Sequence, residues 1–177
     1  MPALLPVVLA GALAAGPGIW LNVPFVRQQA NGCGAACISM VMQYWLKSKD
    51  AGIPPAVADA RQIQRTLYRP QAKGIYASDM ERYFRQHGFR VFAFRGASED
   101  LRRHLAQGRP LIVCLKGSGK SGPLHYVVVV GLDRQDGVVL VNDPAQRKLL
   151  KMDRADFEER WRPMHNWTLL AVPRPGH

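Results

Sequence analysis

Cysteine and histidine are the residues of this chain whose types and spacing can do covalent chemistry. Cysteines stand at 33, 37 and 114, and histidines at 87, 104, 125, 165 and 177. Cys33 differs from the other two cysteines. It follows a polar turn, Gln28-Gln29-Ala30-Asn31-Gly32, and opens a run of small and apolar residues at helical spacing, with no Pro or Gly from Ala35 to Lys49. That puts its sulfur at the N-terminus of a mostly buried helix, where unpaired N–H groups and the helix dipole favour a thiolate. Gly32 and Gly34 leave room for a backbone or a substrate to approach the sulfur. A nucleophilic cysteine is built in this way, and a buried structural cysteine after a turn shows the same local pattern.

A nucleophilic thiol needs a base, and the base needs a group that orients it. His177 is terminal, His87 and His104 fall on charge-rich helical stretches and are expected to be exposed, and His165 has no carboxylate near it in sequence. His125 opens the apolar run Leu124-His125-Tyr126-Val127-Val128-Val129-Val130. A hairpin turn at Asp136-Gly137 folds the following run, Val138–Asn142, back along it. The far end of the second strand then lies beside the start of the first, which brings Asp143 within reach of the His125 ring. A strand-start histidine and a turn-forming Asp-Pro also occur together without chemistry. A glutamine just before the nucleophile can supply a side-chain N–H to an oxyanion, with the Cys33 backbone N–H as second donor, and Gln28 and Gln29 both qualify by position.

The elements that must position these residues divide the chain. After a short extended segment, Leu21–Val26, the first half reads as helices: from Cys33 to about Lys47–Asp50, from Val57 to Leu67, from Ser78 as N-cap (with Glu81 completing a capping box) to about Gln86, and over 99–107. Strands are expected at Arg90–Arg95, Pro110–Lys116, Leu124–Leu132, Val138–Asn142, Lys148–Met152 and Asn166–Val172, with a short helix at Arg154–Trp161. Gly117–Pro123 is a flexible loop whose spacing does not fit a phosphate-binding loop. A helical first half followed by an antiparallel sheet makes the class α+β, and residues 20–177 read as one domain.

Together the parts resemble a known family. Gln-…-Gly-Cys-Gly-Ala-Ala-Cys, a long helix, a His-Tyr-Val-Val-Val strand and then Asn-Asp-Pro are similar to the bacteriocin-processing, double-glycine leader peptidases, which are papain-like cysteine peptidases. The resemblance covers about residues 22–150. It implies a papain-like fold, Cys33 as nucleophile, His125 as general base and acid, Asp143 as its orienting partner and an upstream glutamine, Gln28, as oxyanion donor. It gives Cys37 a packing role. The sequence departs from the family in two places. The family's glutamine usually lies six residues before the cysteine, where this chain has Arg27, and Gly32 stands where exporter domains often carry Asp. No transmembrane bundle or nucleotide-binding domain follows, so ATP is not expected. The implied activity is peptide-bond hydrolysis, on leader peptides after small residues such as Gly-Gly. An acyltransferase or amidase on cell-wall peptides would use the same triad, and a non-catalytic peptide-binding module would need none of it.

Composition narrows the partners. The 177 residues are 47% apolar and carry 24 Lys+Arg against 13 Asp+Glu, a formal charge of +11. The basic residues are scattered, and no motif with interleaved aromatics points to nucleic acid. Three cysteines make no disulfide framework, and with no second cysteine pair neither a metal nor another cofactor is expected. Residues 1–15 are uncharged and apolar, and Ala12-Leu13-Ala14 fits a small-x-small cleavage site although a positive n-region is missing. They read as a signal peptide or N-terminal anchor, which implies an exported or membrane-anchored protein and membrane association through that segment.

Overall fold

The computed structural model of the chain describes residues 18–47, 54–117, 122–133 and 137–174. The signal or anchor expected at 1–15, the breaker at Gly52-Ile53, most of the loop after Gly117, Asp136 of the hairpin turn and His177 lie outside these residues. Among the described residues no helix is long and apolar enough to cross a membrane.

In chain order the elements are β1 (Ile19–Trp20), α1 (Cys33–Leu46), α2 (Ala60–Leu67), α3 (Ala77–Gln86), β2 (Phe89–Arg95), α4 (Ser98–Ala106), β3 (Leu111–Lys116), β4 (Leu124–Asp133), β5 (Val138–Asn142), β6 (Leu150–Asp153), α5 (Arg154–Trp161) and β7 (Trp167–Pro173). The strands form one antiparallel sheet in the order β2-β7-β3-β4-β5-β6. Strand β4 is its spine. Its first part pairs with β3, and near its far end β1 takes over that edge, with Trp20 opposite Gly131.

Alternation along the strands gives the sheet two apolar faces. On one, Ile112, Val128, Val130, Leu169 and Ala171 pack against Ile38, Met42, Met80 and Phe84 from α1 and α3. On the other, Val113, Leu115, Val127, Val129 and Val141 pack against Leu101, Leu105, Phe157 and Trp161 from α4 and α5. The class is α+β, with helices covering both faces.

Two local expectations are corrected. The helix expected over Val57–Leu67 is broken at Asp59, because the carbonyls of Val57 and Ala58 accept from Tyr83 Oη (2.8 Å) and Ser39 Oγ (2.6 Å) instead of helical N–H groups. The Asp59 side chain then accepts the Gln62 N–H at 2.8 Å and caps α2. Ser78 is not an N-cap: α3 starts at Ala77, and Glu81 pairs with Arg85 at 2.7 Å rather than closing a capping box. The Leu21–Val26 segment, expected to be extended, lies outside the strands, with Leu21 N–H donating to Val130 O at 2.7 Å. Buried Asn142 holds it to the end of β5, donating from Nδ2 to the carbonyls of Val23 (3.2 Å) and Pro24 (3.5 Å), while its Oδ1 accepts the Leu149 N–H at 3.0 Å.

This clamp fixes the segment that leads into α1 against the strand that leads into Asp143. Replacing Asn142 with Ala strands a buried carbonyl and a half-buried N–H, and should cost about 1–3 kcal/mol of unfolding free energy in urea denaturation. A cost under about 0.5 kcal/mol would show that solvent satisfies these groups and that Asn142 is not a clamp.

Candidate active site

The turn before α1 is held from three sides. Asn31 takes a left-handed backbone (φ 55°), Gly32 N–H donates to Gln29 O at 2.9 Å, and Gln64 of α2 donates to Ala30 O at 2.8 Å. A Cβ on Gly32 would collide with Gln64 Oε1, and one on Gly34 would sit 3.2 Å from Ile75 Cβ and 3.6 Å from the Tyr126 ring. The room expected around these glycines is therefore filled by Gln64, Ile75 and Tyr126, not left for substrate. Cys33, half-buried as the first residue of α1, hydrogen-bonds to the His125 ring, and the N–H groups of Tyr126 and Gly34 donate to its sulfur.

His125 is the second residue of β4, and Asp143 is the first residue past β5. The β4–β5 register sets Val128 opposite Asn142, so Asp143 falls two residues from His125 across the ladder. His125 Nε2 lies 2.7 Å from Asp143 Oδ1, which leaves Nδ1 for the Cys33 sulfur. Asp143 is buried, with 3% of its side chain exposed, and its other bonds are local. Oδ1 accepts the Ala145 N–H at 2.9 Å, and Oδ2 accepts from Gln146 Nε2 at 2.8 Å.

The electrostatics follow from these contacts. Burial alone would raise the Cys33 pKa. The His125 hydrogen bond, the Tyr126 N–H, the imidazolium charge and the Gly34 N–H outweigh it and bring the thiol below its ordinary value. Burial likewise works against a charged His125, but hydrogen bonds to Asp143 and Cys33, and then their charges, push its pKa up to about 9. Burial would raise Asp143 too, and the His125 hydrogen bond and charge with the Ala145 and Gln146 donors hold it below the usual carboxylate range. The arrangement is a protonated His125 held between a buried carboxylate and a thiol whose ionised form it favours. The other thiols shift in the opposite direction. Burial, with the charges of Cys33 and Asp143, drives Cys37 well above its ordinary value, and burial with the Cys33 charge pushes Cys114 up to about 12.

Of the residues singled out from sequence, Cys33, His125 and Asp143 meet. Gln28 sits beside the first turn of α1, lining a cavity of about 360 Å³ with Gly32 and Ala36. Its main-chain N–H donates to Pro144 O at 3.0 Å, and its Oε1 is buried without a partner. Gln29 is exposed. Arg27 reaches back to the Asp143 loop, donating to Gln146 O at 3.2 Å. His87 and His104, expected to be exposed, are half-buried because their rings pack on Tyr83 and Phe94. Sequence reading missed Gln146, Tyr126 and Ile75. Gln146 was recoverable from its place three residues after Asp143 in an Asp-Pro turn. Ile75 acts through packing, and Tyr126 through its ring beside Gly34 and its main-chain N–H, none of which carries such a signal. Among the described residues no group of three or more His, Cys, Asp or Glu side chains is placed to hold a metal.

A family model described as the Peptidase_C39 like family matches residues 20–169. The chain belongs to the Peptidase_C39 like family. The fold agrees. A crystal structure from Bacillus anthracis described as a C39-like peptidase superposes with a TM-score of 0.70 at 19% identity, covering 90% of this chain and 100% of that one. The peptidase domain of Streptococcus ComA, a bi-functional ABC transporter, gives 0.67 at 19% identity, covering 86% and 100%. A double glycine motif protease from an AMS/PCAT transporter, in complex with its leader peptide, gives 0.63 at 20% identity, covering 90% and 100%. No curated protein matches the chain. Family and fold are those of cysteine peptidases of the papain-like kind.

In this C39-like chain the raised His125 pKa is attributed above all to Asp143. Asp143→Asn keeps the side-chain shape and removes the charge, so His125 should titrate well below 9, read from its ring-proton NMR shifts. A His125 pKa that stays near 9 would mean that the carboxylate is not its source.

Proposed function

We propose that the chain is a thiol endopeptidase in which Cys33 is the nucleophile, His125 the general acid and base, Asp143 the group that orients His125, and Gln28 an oxyanion donor. The observation that carries this reading is the unbroken hydrogen-bonded line from Cys33 through the His125 ring to buried Asp143. The Cys33 thiolate attacks a peptide carbonyl and forms an S–C bond. Negative charge gathers on the carbonyl oxygen, where the Gln28 amide and the Cys33 N–H would receive it. The C–N bond then breaks as His125 passes its proton to the leaving amine. Water, activated by the now neutral His125, attacks the thioester and restores the thiolate with release of the acid.

The substrate class in this reading is a peptide cut after small residues such as Gly-Gly. It is supported by the family and by the leader peptide bound to the AMS/PCAT protease, whose fold the chain shares. An exported or membrane-anchored setting belongs to the same reading and rests on residues 1–15 alone.

Cleavage of a fluorogenic peptide with Gly-Gly before the scissile bond tests it. Below the lowered Cys33 pKa the sulfur is protonated, and above about 9 His125 has no proton to give. The rate should therefore rise with pH through the first value and fall through the second. Gln28→Ala should lower kcat by about 10²-fold. Cys33→Ala, with an unchanged circular dichroism spectrum, should abolish turnover, and cleavage retained by that variant would overturn the proposal.

A further inference from the structure

The sheet ends on a strand, β2, that pairs with β7 on one side and has no strand partner on its outer edge among the described residues. Strand β2 is the terminal strand of the order, three strands away from the His125-bearing β4. The phase of its hydrogen bonds follows from the two pairs that bracket it. Arg174 N–H donates to Gly88 O, and Gly96 N–H donates to Asn166 O, each at 2.9 Å. In an antiparallel ladder bonded residues alternate, so Arg90, Phe92 and Phe94 spend their main-chain groups on β7. Phe89, Val91, Ala93 and Arg95 turn theirs outward. Natural edges are usually blunted by an inward charge, a bulge, a proline or a covering segment. Here the middle of the strand reads Val91-Phe92-Ala93-Phe94 in unbroken register, with Phe92 and Ala93 exposed.

A cavity of about 640 Å³ runs along these four residues, walled by α3 and α4. Its charge is lopsided. Glu81 pairs with Arg85 and Asp100 pairs with Arg103, which neutralises the only carboxylates of the wall. Arg109 in the wall and Arg90 and Arg95 at the two ends of the strand remain. Arg90 lies over the Phe92 ring, 5.7 Å from its centre, and so keeps its charge at the rim.

We propose that this edge docks an extended acidic segment of a protein partner, which adds a strand to β2. The partner's main chain would bond to Val91 and Ala93, its apolar side chains would meet Phe92 and Phe94, and its carboxylates would meet Arg90, Arg95 and Arg109. Charge selects this occupant over two others. A second copy would bring the same arginines face to face on a chain of net +11, and residues 1–17 have no charged side chain to offer.

The probe is a fluorescein-labelled (Glu-Val)₄ peptide titrated with the intact protein, with anisotropy as readout. Ala93→Pro tests the edge cleanly, because Pro removes an outward N–H and leaves the β7 ladder whole. Binding should be saturable and weaken by about tenfold or more in Ala93→Pro, in Arg109→Glu and with (Lys-Val)₄ as the peptide. Hydrogen exchange on the unmodified protein needs no variant: saturating peptide should slow the Val91 and Ala93 amides by about tenfold or more. No saturable binding, equal affinity for the lysine peptide, or unslowed Val91 and Ala93 amides would overturn the proposal. So would a concentration-dependent dimer that Ala93→Pro abolishes, which would give the edge to a second copy.

Discussion

A buried carboxylate is the charge on which the rest of this site depends. Placing Asp143 at 3% exposure is costly unless its oxygens are fully engaged. They are: a ring nitrogen, a backbone N–H and a glutamine amide close around them. The consequences run outward in one direction. Because the carboxylate stays charged, His125 keeps its proton up to about 9 in spite of burial, and because His125 is cationic, Cys33 can rest as a thiolate. Remove the carboxylate and burial dominates at both other positions, which pushes histidine and thiol toward their neutral forms.

That dependence explains why the surrounding structure is tied so tightly to the Asp143 loop. The β4–β5 register sets the height of Asp143 against His125. Asn142, one residue earlier, fastens the chain leading to Gln28. Gln28 N–H and the Arg27 guanidinium fasten the same loop from the other side, through Pro144 O and Gln146 O. The nucleophile's turn and the carboxylate's turn are thus bonded to each other, while α1 carries Cys33 across the sheet on a face packed with Ile38 and Met42. The environment also separates three thiols of one chemical type. At Cys33 the donors and the His125 charge outweigh burial, whereas at Cys37 and Cys114 burial wins, even with the His125 N–H donating to Cys114.

Much of this was legible in the residues. A cysteine between two glycines at the head of an uninterrupted apolar run implied a helix N-terminus, and α1 starts at Cys33. The hairpin showed that Asp143 returns to the His125 end of β4, but not the register: a two-residue Asp136-Gly137 turn would set Asp143 opposite Val130, whereas Asp133 pairs with Val138 and a shift between Val129 and Gly131 brings Asp143 opposite Val127. What was not legible depends on groups distant in sequence. The break at Asp59 comes from Ser39 and Tyr83 capturing helix carbonyls. The filling of Gly34 comes from Ile75 and Tyr126. The half-burial of His87 and His104 comes from aromatic neighbours. The open edge at β2 could not be read from periodicity, which marks a strand without saying where in the sheet it stands.

The central claim is that His125 holds Cys33 as a thiolate. The direct measurement is the rate of iodoacetamide labelling at each cysteine against pH, followed by mass spectrometry, in the unmodified chain and in His125→Ala. The account predicts that Cys33 alone labels fast well below the ordinary thiol pKa of about 8.5, that Cys37 and Cys114 stay unreactive, and that His125→Ala moves Cys33 labelling to higher pH. Cys33 labelling no faster than an ordinary thiol, or labelling unchanged without His125, would contradict it.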